Sequence, residues 1–246
     1  MKKPVTLYIL LLALSIGVLF LLNLFLGSVD IPFRSICNIL WGMDEGESVI
    51  WQNIIWKSRV PQALTAMVAG AGLAVSGLQM QTVFRNPLAG PSVLGISSGA
   101  SLGVAFVVLL SGSIGGIALS RLGFMGEIAL TMAAIIGALS IMALIVYVSQ
   151  KVHGNVTLLI IGVMIGYVAN AVIGVLKFFS VEEDIRAYVI WGLGSFARVS
   201  GNQMMVFVCI MSVLLPLSFL LIKTLNLLLL GDAYARNLGL NIKRAR

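Results

Sequence analysis

The sequence is poor in charged residues, since Asp, Glu, Lys and Arg make up only 10% of its 246 residues, against roughly 25% in an ordinary soluble domain. Hydrophobic residues make up 59%. A soluble core could not absorb this surplus, and the few charges occur in clusters between long apolar runs. The sequence therefore excludes an ordinary soluble domain and predicts an all-α, polytopic transmembrane helix bundle.

Residues that build reactive sites are also scarce. The single histidine, His153, has no Cys or acidic neighbour at ligand spacing. The two cysteines, Cys37 and Cys209, lie in a polar connection and in an apolar run, so a disulfide is not expected. We predict no catalytic residue, no metal site and no cofactor. The net charge of +7 comes without a patch of basic and aromatic residues, so nucleic-acid binding is not expected either.

Long apolar runs exceed the roughly 20 residues needed to cross the hydrocarbon core of a bilayer. Trimmed at glycine and proline, they predict six spans. The predicted spans lie near 6–27, 61–83, 93–110, 127–149, 156–177 and 203–222. We interpret the first as a membrane span, because it is longer than the apolar region of a signal peptide and lacks a good cleavage site.

The charges between spans favour an N-terminus in the cytoplasm. With that orientation, nine basic residues lie inside and seven outside, in the sense of the positive-inside rule. Eight of the nine acidic residues lie outside, Asp232 being the exception. We therefore predict a multi-pass protein with both ends of the six-span region in the cytoplasm.

Small and polar residues within the spans carry further information. Small residues recur at four-residue spacing, as in Ala66/Gly70, Gly95/Gly99/Gly103 and Gly162/Gly166, which allows close approach of helix backbones in lipid. Tyr167 and Asn170 lie about one turn apart on the fifth span. Polar groups at that depth are costly unless they face a cavity or a partner. They are candidates for a substrate path, and a hydrogen bond inside the bundle is the alternative.

Two connections have distinctive patterns. Arg85-Asn86-Pro87-Leu88-Ala89-Gly90-Pro91 places two prolines within five residues, so a helix cannot continue through it. Such a break is expected where backbone lines a cavity or contacts another protein, and a plain hairpin turn is the alternative.

Further on, Asp232 is a good N-cap and Gly239 a good C-terminal stop, which predicts a short cytoplasmic helix within 231–240. A partner-binding helix and a merely solvated one are both compatible with this pattern.

The most specific signal is a long collinear stretch, RVPQALTAMVAGAGLAVSGLQMQTVFRNPLAGPSVLGISSGASLG. It resembles the signature region of FecCD permeases of ABC importers, which carry iron-siderophores, haem and cobalamin. The likeness continues through LLIIGV at 158–163, WGLGS at 191–195 and GDAYARNLGL at 231–240, and thus covers essentially the whole chain.

The resemblance implies roles for particular residues. Residues that match positions constricting the cytoplasmic end of the path are Asn86, Leu88, Asn155 and Val156. Residues of the helix that docks into the nucleotide-hydrolysing subunit are Asp232, Tyr234, Ala235, Arg236, Leu238 and Gly239. The segment between Ser180 and Ser200, interrupted by Gly192 and Gly194, resembles a short re-entrant helix at the outer mouth.

Docking of an external binding protein is expected at Arg59, aided by Lys57, because both lie just outside a span on the external face. Gln62 departs from the family, in which many members carry a second arginine of an R-x-P-R motif. The family also has about ten spans, with a Pro-His motif and an arginine near its end, whereas this sequence stops at Arg246. We therefore expect a single permease domain that is truncated after the sixth span.

The resemblance implies an ABC importer permease that moves an iron chelate, siderophore or haem, across the bacterial inner membrane by ATP-driven alternating access. Expected partners are a second permease copy in a homodimer, two ATP-binding subunits, a periplasmic or lipid-anchored binding protein, and the bilayer. The chain lacks a G-x-x-x-x-G-K-[ST] motif, so we expect no enzymatic activity of its own. The alternatives are a cobalamin permease of the same family, an ion-coupled secondary transporter and a multi-pass membrane enzyme.

Overall fold

The computed structural model describes residues 5–43, 46, 48–115, 124–152 and 154–242, with the backbone alone at 111–115, 124, 155, 156 and 232. Every regular element in these ranges is helical, which confirms the all-α prediction. The helices are α1 (Val5–Phe25), α2 (Phe33–Leu40), α3 (Val49–Ile54), α4 (Val60–Phe84), α5 (Ile96–Gly115), α6 (Phe124–Ser149), α7 (Asn155–Phe179), α8 (Glu182–Leu193), α9 (Gly201–Ser218), α10 (Ile222–Leu229) and α11 (Asp232–Asn237). A π-helical turn (Ile55–Arg59) joins α3 to α4, and a 3-10 turn (Phe219–Leu221) joins α9 to α10.

Five segments of the described chain are long and apolar enough to cross a bilayer. They are Val5–Phe25, Val49–Phe84, Met125–Ser149, Thr157–Phe179 and Gly201–Leu229. A further apolar helix, Ile96–Leu110, is shorter. Each predicted span overlaps one of these six segments, and the number that cross the membrane stays a prediction.

The chain divides into two compact units, and the prediction of a single permease domain stays a prediction. The first comprises Met1–Gly72 and Ser195–Pro216, and the second comprises Leu73–Gly194 and Leu217–Arg246. In the first unit, Ile31, Ile36, Ile39 and Ile55 form a buried cluster. This cluster holds the amphipathic helix α2 against the end of α1 and the π-helical turn.

The helix that contains Pro61 begins earlier than the sequence indicated. Pro61 was expected to open a span, yet the helical path runs without interruption from Val49 through the π-helical turn into α4. In that turn the N–H of Val60 donates to the carbonyl of Ile55, five residues back. Proline has no N–H to donate. The wider π-helical turn before Pro61 can therefore accommodate this residue without the loss of a hydrogen bond.

In the second unit, α5 packs closely on α6 and α7 along a line of glycines. A Cβ atom on Gly99 would lie 2.7 Å from the carbonyl oxygen of Gly137 on α6. A Cβ atom on Gly95, whose φ is +73°, would lie 2.9 Å from the carbonyl oxygen of Gly162 on α7. Two of the three predicted small-residue patterns therefore mark helix contacts. The third does not, because a Cβ atom on Gly70 would meet no described atom within 4 Å.

Helix α8 occupies the segment expected to be a short helix at the outer mouth. Gly192 lies inside the helix instead of breaking it, and Gly194, with φ of +68°, follows its last residue. The helix packs on α5 through Tyr188, which is buried. Burial raises the pKa of Tyr188 above its ordinary value of 10.0, since desolvation disfavours the phenolate, and a hydrogen bond with Ser101 opposes this shift. Tyr188 is therefore neutral at physiological pH.

We predict that Gly103→Ala destabilises the protein by about 1–3 kcal/mol, because the added methyl group would overlap the backbone of Ala133 and Gly137 on α6. Thermal unfolding in detergent would measure the effect. The matched control is Gly174→Ala on α7, where no described atom lies within 4 Å of the new Cβ atom. Equal stability of the two variants would contradict close packing of α5 on α6.

Candidate functional site

The break between α4 and α5 is built from successive turns. Backbone hydrogen bonds join Ala89 to Asn86 at 3.0 Å, Val93 to Gly90 at 3.0 Å and Gly95 to Ser92 at 3.2 Å. The Asn86 Oδ1 atom accepts a hydrogen bond from the Leu88 N–H at 2.9 Å, which closes a local side-chain turn. The segment is therefore an ordered excursion of about ten residues and not a plain hairpin turn.

Two buried side chains anchor this excursion and leave its tip exposed. Ala89 and Leu94 are each 3% exposed and belong to a cluster that includes Leu159 of α7. Leu88, by contrast, is 81% exposed. The break is therefore anchored at Ala89 and Leu94 and open at Leu88.

A first cavity, of about 390 Å³, lies between the break and α7. Its lining residues are Asn86, Leu88, Val93, Leu159, Ile160, Val163 and Met164. The two predicted gate residues of the break, Asn86 and Leu88, are thus brought together with the first half of α7. The lining is apolar apart from the Asn86 amide.

A second cavity, of about 220 Å³, adjoins the first, because Val93 and Val163 line both. Its lining residues are Ser92, Val93, Gly95, Ser98, Gly162, Val163, Gly166, Tyr167 and Asn170. Tyr167 and Asn170, which were predicted from their depth in the span, therefore lie in one groove. The prediction of the site missed Ser92 and Ser98, which line this cavity together with Gly95.

The other pair of predicted gate residues, Asn155 and Val156, forms the first turn of α7. Their side chains lie outside the described part of the structure, as does His153. Leu159, one turn further along α7, lines the first cavity. The backbone therefore places this pair on the end of α7 that faces the break.

Helix α11 lies where the short cytoplasmic helix was expected, with differences at two residues. Gly231 is the N-cap and Asp232 is the first helical residue, so the capping role predicted for Asp232 is wrong. At the other end Gly239, with φ of +87°, donates to the carbonyl of Arg236, and Leu240 donates to that of Ala235. This pair of hydrogen bonds is a Schellman ending, as the glycine predicted.

Ala235 does not face outward from α11. Its exposed fraction is 0%, so the chain itself covers this residue. The expectation that Ala235 meets a partner subunit is therefore corrected, since its methyl group is already enclosed by this chain. Tyr234, Arg236 and Leu238 are exposed and form the available surface of the helix.

Arg59 is also placed differently from the prediction. It is 5% exposed, and its guanidinium donates hydrogen bonds to the carbonyl oxygens of Leu24, Phe25 and Val29. The last carbonyls of a helix have no partner within it, and a cation at that end is favourable. Arg59 is thus committed to the end of α1 and is not exposed for docking, whereas Lys57 is exposed.

Residues 12–246 match the FecCD transport family. The chain belongs to this family. It is 36% identical to the hemin transport system permease protein HmuU of Yersinia pestis, over 90% of this chain and 63% of that protein. It is 35% identical to the vitamin B12 import system permease protein BtuC of Serratia proteamaculans, over 96% of this chain and 64% of that protein.

A solved structure is similar along nearly the whole chain. It is described as an inward-facing conformation of a metal-chelate type ABC transporter, and it aligns with a TM-score of 0.74 and 28% identity. The alignment covers 98% of this chain and 70% of that one. This chain therefore spans a little under two thirds of the length of the two curated relatives and somewhat more of the solved structure.

We predict that Arg59→Gln lowers the free energy of unfolding by about 2–3 kcal/mol, because it removes a charged donor from buried carbonyl oxygens. The control is Lys57→Gln, two residues away and exposed, where a change within about 0.5 kcal/mol is expected. Denaturation in detergent would compare the two. An Arg59→Gln protein as stable as the Lys57→Gln protein would contradict the buried role.

Proposed function

We propose that this chain is the membrane-embedded permease of an ATP-driven importer for an iron chelate, either a siderophore complex or haem. The observation that carries the proposal is the groove along α7, bounded by the break at Asn86 and Leu88 and by the polar groups of Tyr167 and Asn170. Membership of the FecCD transport family supports it. Under this proposal the chain performs no bond chemistry and forms one wall of a path.

The lining of the groove suits a path better than a tight binding site. None of its lining residues is charged, and the polar groups are a few hydroxyls and amides next to apolar side chains. A path through a membrane must release what it admits, so weak contacts at several positions are favourable there. Affinity for the chelate would then reside in a separate binding protein.

A second copy of the permease would complete the groove. Tyr167 is 66% exposed and Asn170 is also exposed, on a segment apolar enough to cross a bilayer. Polar groups turned toward lipid are costly, so these side chains would face a water-filled path or another protein. We therefore propose a homodimer in which the two α7 grooves face each other.

ATP would be hydrolysed by two separate subunits that dock on α11. The exposed Tyr234, Arg236 and Leu238 combine an aromatic, a cationic and an aliphatic side chain on one short helix. Aromatic residues and arginine are typical anchors of protein interfaces. Docking at this helix would require an N-terminus in the cytoplasm, as the distribution of basic residues suggests.

On the opposite face, a binding protein would deliver the chelate. Of the two residues predicted to dock it, Arg59 is committed to the end of α1, and Lys57 stays exposed. The substrate would be haem or a ferric siderophore, and cobalamin is the alternative within the family. The named relatives include a hemin and a vitamin B12 permease, together with the "Probable iron chelatin transport system permease protein" of Helicobacter pylori, 38% identical over 76% of this chain.

We predict ATP-dependent uptake in proteoliposomes that contain the permease with its ATPase subunits and binding protein. Haem, a ferric siderophore and cobalamin would be supplied in separate reactions, each with and without an ionophore. Uptake of an iron chelate that requires ATP and is unaffected by the ionophore is expected. Uptake driven by an ion gradient without ATP would contradict the proposal and indicate a secondary transporter.

We also predict that Tyr234→Cys and Leu238→Cys cross-link to the ATPase subunit, since both positions are more than half exposed. The background would lack Cys37 and Cys209, which are both free. Ala235→Cys is the matched control, because its position is buried and should not react. Cross-linking near Lys151 without any at Tyr234 or Leu238 would move the docking site to another loop.

A further inference from the structure

Arg85 occupies a backbone conformation that ordinarily belongs to glycine. Its φ is 50°, and among the described residues it is the one non-glycine residue with a positive φ. Its N–H donates to the carbonyl of Thr82 at 3.3 Å, and the N–H of Asn86 donates to that of Gln81 at 3.1 Å. This is a Schellman ending of α4, in which a glycine would carry no strain. The strain indicates that the side chain of Arg85 has a use.

The guanidinium of Arg85 binds the end of another helix. Its Nε and Nη2 atoms both donate to the carbonyl oxygen of Leu228, at 3.1 and 2.8 Å. Leu228 lies in the last turn of α10, where a cation is favourable, and its carbonyl oxygen also accepts a backbone hydrogen bond from the Gly231 N–H at 3.3 Å. The two residues are 143 positions apart, so the contact exists only in the folded chain.

This contact joins two segments that have different proposed roles. The backbone of Arg85 leads directly into Asn86 and Leu88, which line the first cavity. Three residues after Leu228 comes Gly231, the N-cap of α11, whose carbonyl accepts a hydrogen bond from the Ala235 N–H at 2.8 Å. A displacement of α11 would therefore displace the end of α10. The Arg85 guanidinium, which donates two hydrogen bonds in a fixed geometry, would follow this displacement better than a single ammonium group.

We propose that Arg85 is a positioning residue that couples movement of α10 and α11 to the break at Asn86–Gly95. The inference rests on the proposed function, because it assigns the ATPase contact to α11 and the gate to the break. The contact between Arg85 and Leu228, which we call the clamp, holds the break to the end of α10. Helix α10 leads into α11, which the ATPase would move. Loss of the guanidinium then separates ATP hydrolysis from opening of the path.

The decisive variant is Arg85→Gly, since glycine accepts a φ of 50° without strain and removes only the side chain. We expect the assembled transporter to retain basal ATP hydrolysis while chelate imported per ATP falls about tenfold, within the usual range of coupling between sites. Arg85→Lys, which keeps the charge without the fork, should be intermediate. Lys223→Ala, which removes an exposed charge from α10 itself, is the control and should import like the wild type.

Hydrogen exchange provides a readout that is independent of transport. In the Arg85→Gly permease without ATPase, the amides of Ala235 and Leu238 should exchange about tenfold faster than in the wild type, because the end of α10 is no longer held. Exchange of these amides at the wild-type rate would show that Arg85 does not hold the end of α10, and would overturn the proposal. If Arg85 only ended α4, the glycine variant would be as stable and as well coupled as the wild type.

The outcomes separate the two levels of the proposal. A wild-type transporter that imports no chelate with ATP would overturn the proposed function. A wild type that imports, together with an Arg85→Gly variant of equal import per ATP, would overturn this inference alone. A parallel fall of import, ATP hydrolysis and assembled fraction in Arg85→Gly would also overturn it, because that pattern reflects lost folding and not lost coupling.

Discussion

In an apolar surrounding every backbone N–H and C=O group needs a partner within the protein, and the breaks in these helices are arranged around that requirement. Two arginines meet it at helix ends. Arg59 supplies donors to the last carbonyls of α1, and Arg85 supplies two to the last turn of α10. Arg59 directly precedes α4 and Arg85 directly follows it. Each of them supplies hydrogen bonds to the last carbonyls of a different helix.

Close backbone contact is the second constraint. Apolar side chains gain little by exchanging lipid for one another, so helix association depends on fit. Gly95, Gly99 and Gly103 let α5 approach α6 and α7 until backbone atoms touch, and Gly27 plays a similar part beside Arg59. A Cβ atom on Gly27 would lie 2.7 Å from the guanidinium, which would have to shift to make room for it. Gly162 and Gly166 belong both to this close packing and to the lining of the α7 groove.

The candidate site was predictable to different degrees along its length. Tyr167 and Asn170 could be found because polar groups are rare in apolar spans, and the break could be found because two prolines cannot continue a helix. Ser92 and Ser98 could not be distinguished from other small residues in a glycine-rich stretch. Arg59 and Ala235 were misassigned for one reason: an arginine beside a span and an alanine on a short helix look exposed in sequence, and only their neighbours in space bury them.

By itself the sequence determined that the chain lies in a bilayer, that it is helical, approximately where its apolar segments lie, and to which family it belongs. These properties follow from composition and from patterns within short stretches of the chain. The tertiary structure decided which carbonyls Arg59 and Arg85 complete, which glycine patterns are contacts, and which face of α11 stays open. Those outcomes depend on partners as much as 143 residues away, as for Arg85 and Leu228. A hydrogen bond over that separation leaves no local pattern, since it follows from the packing of whole helices.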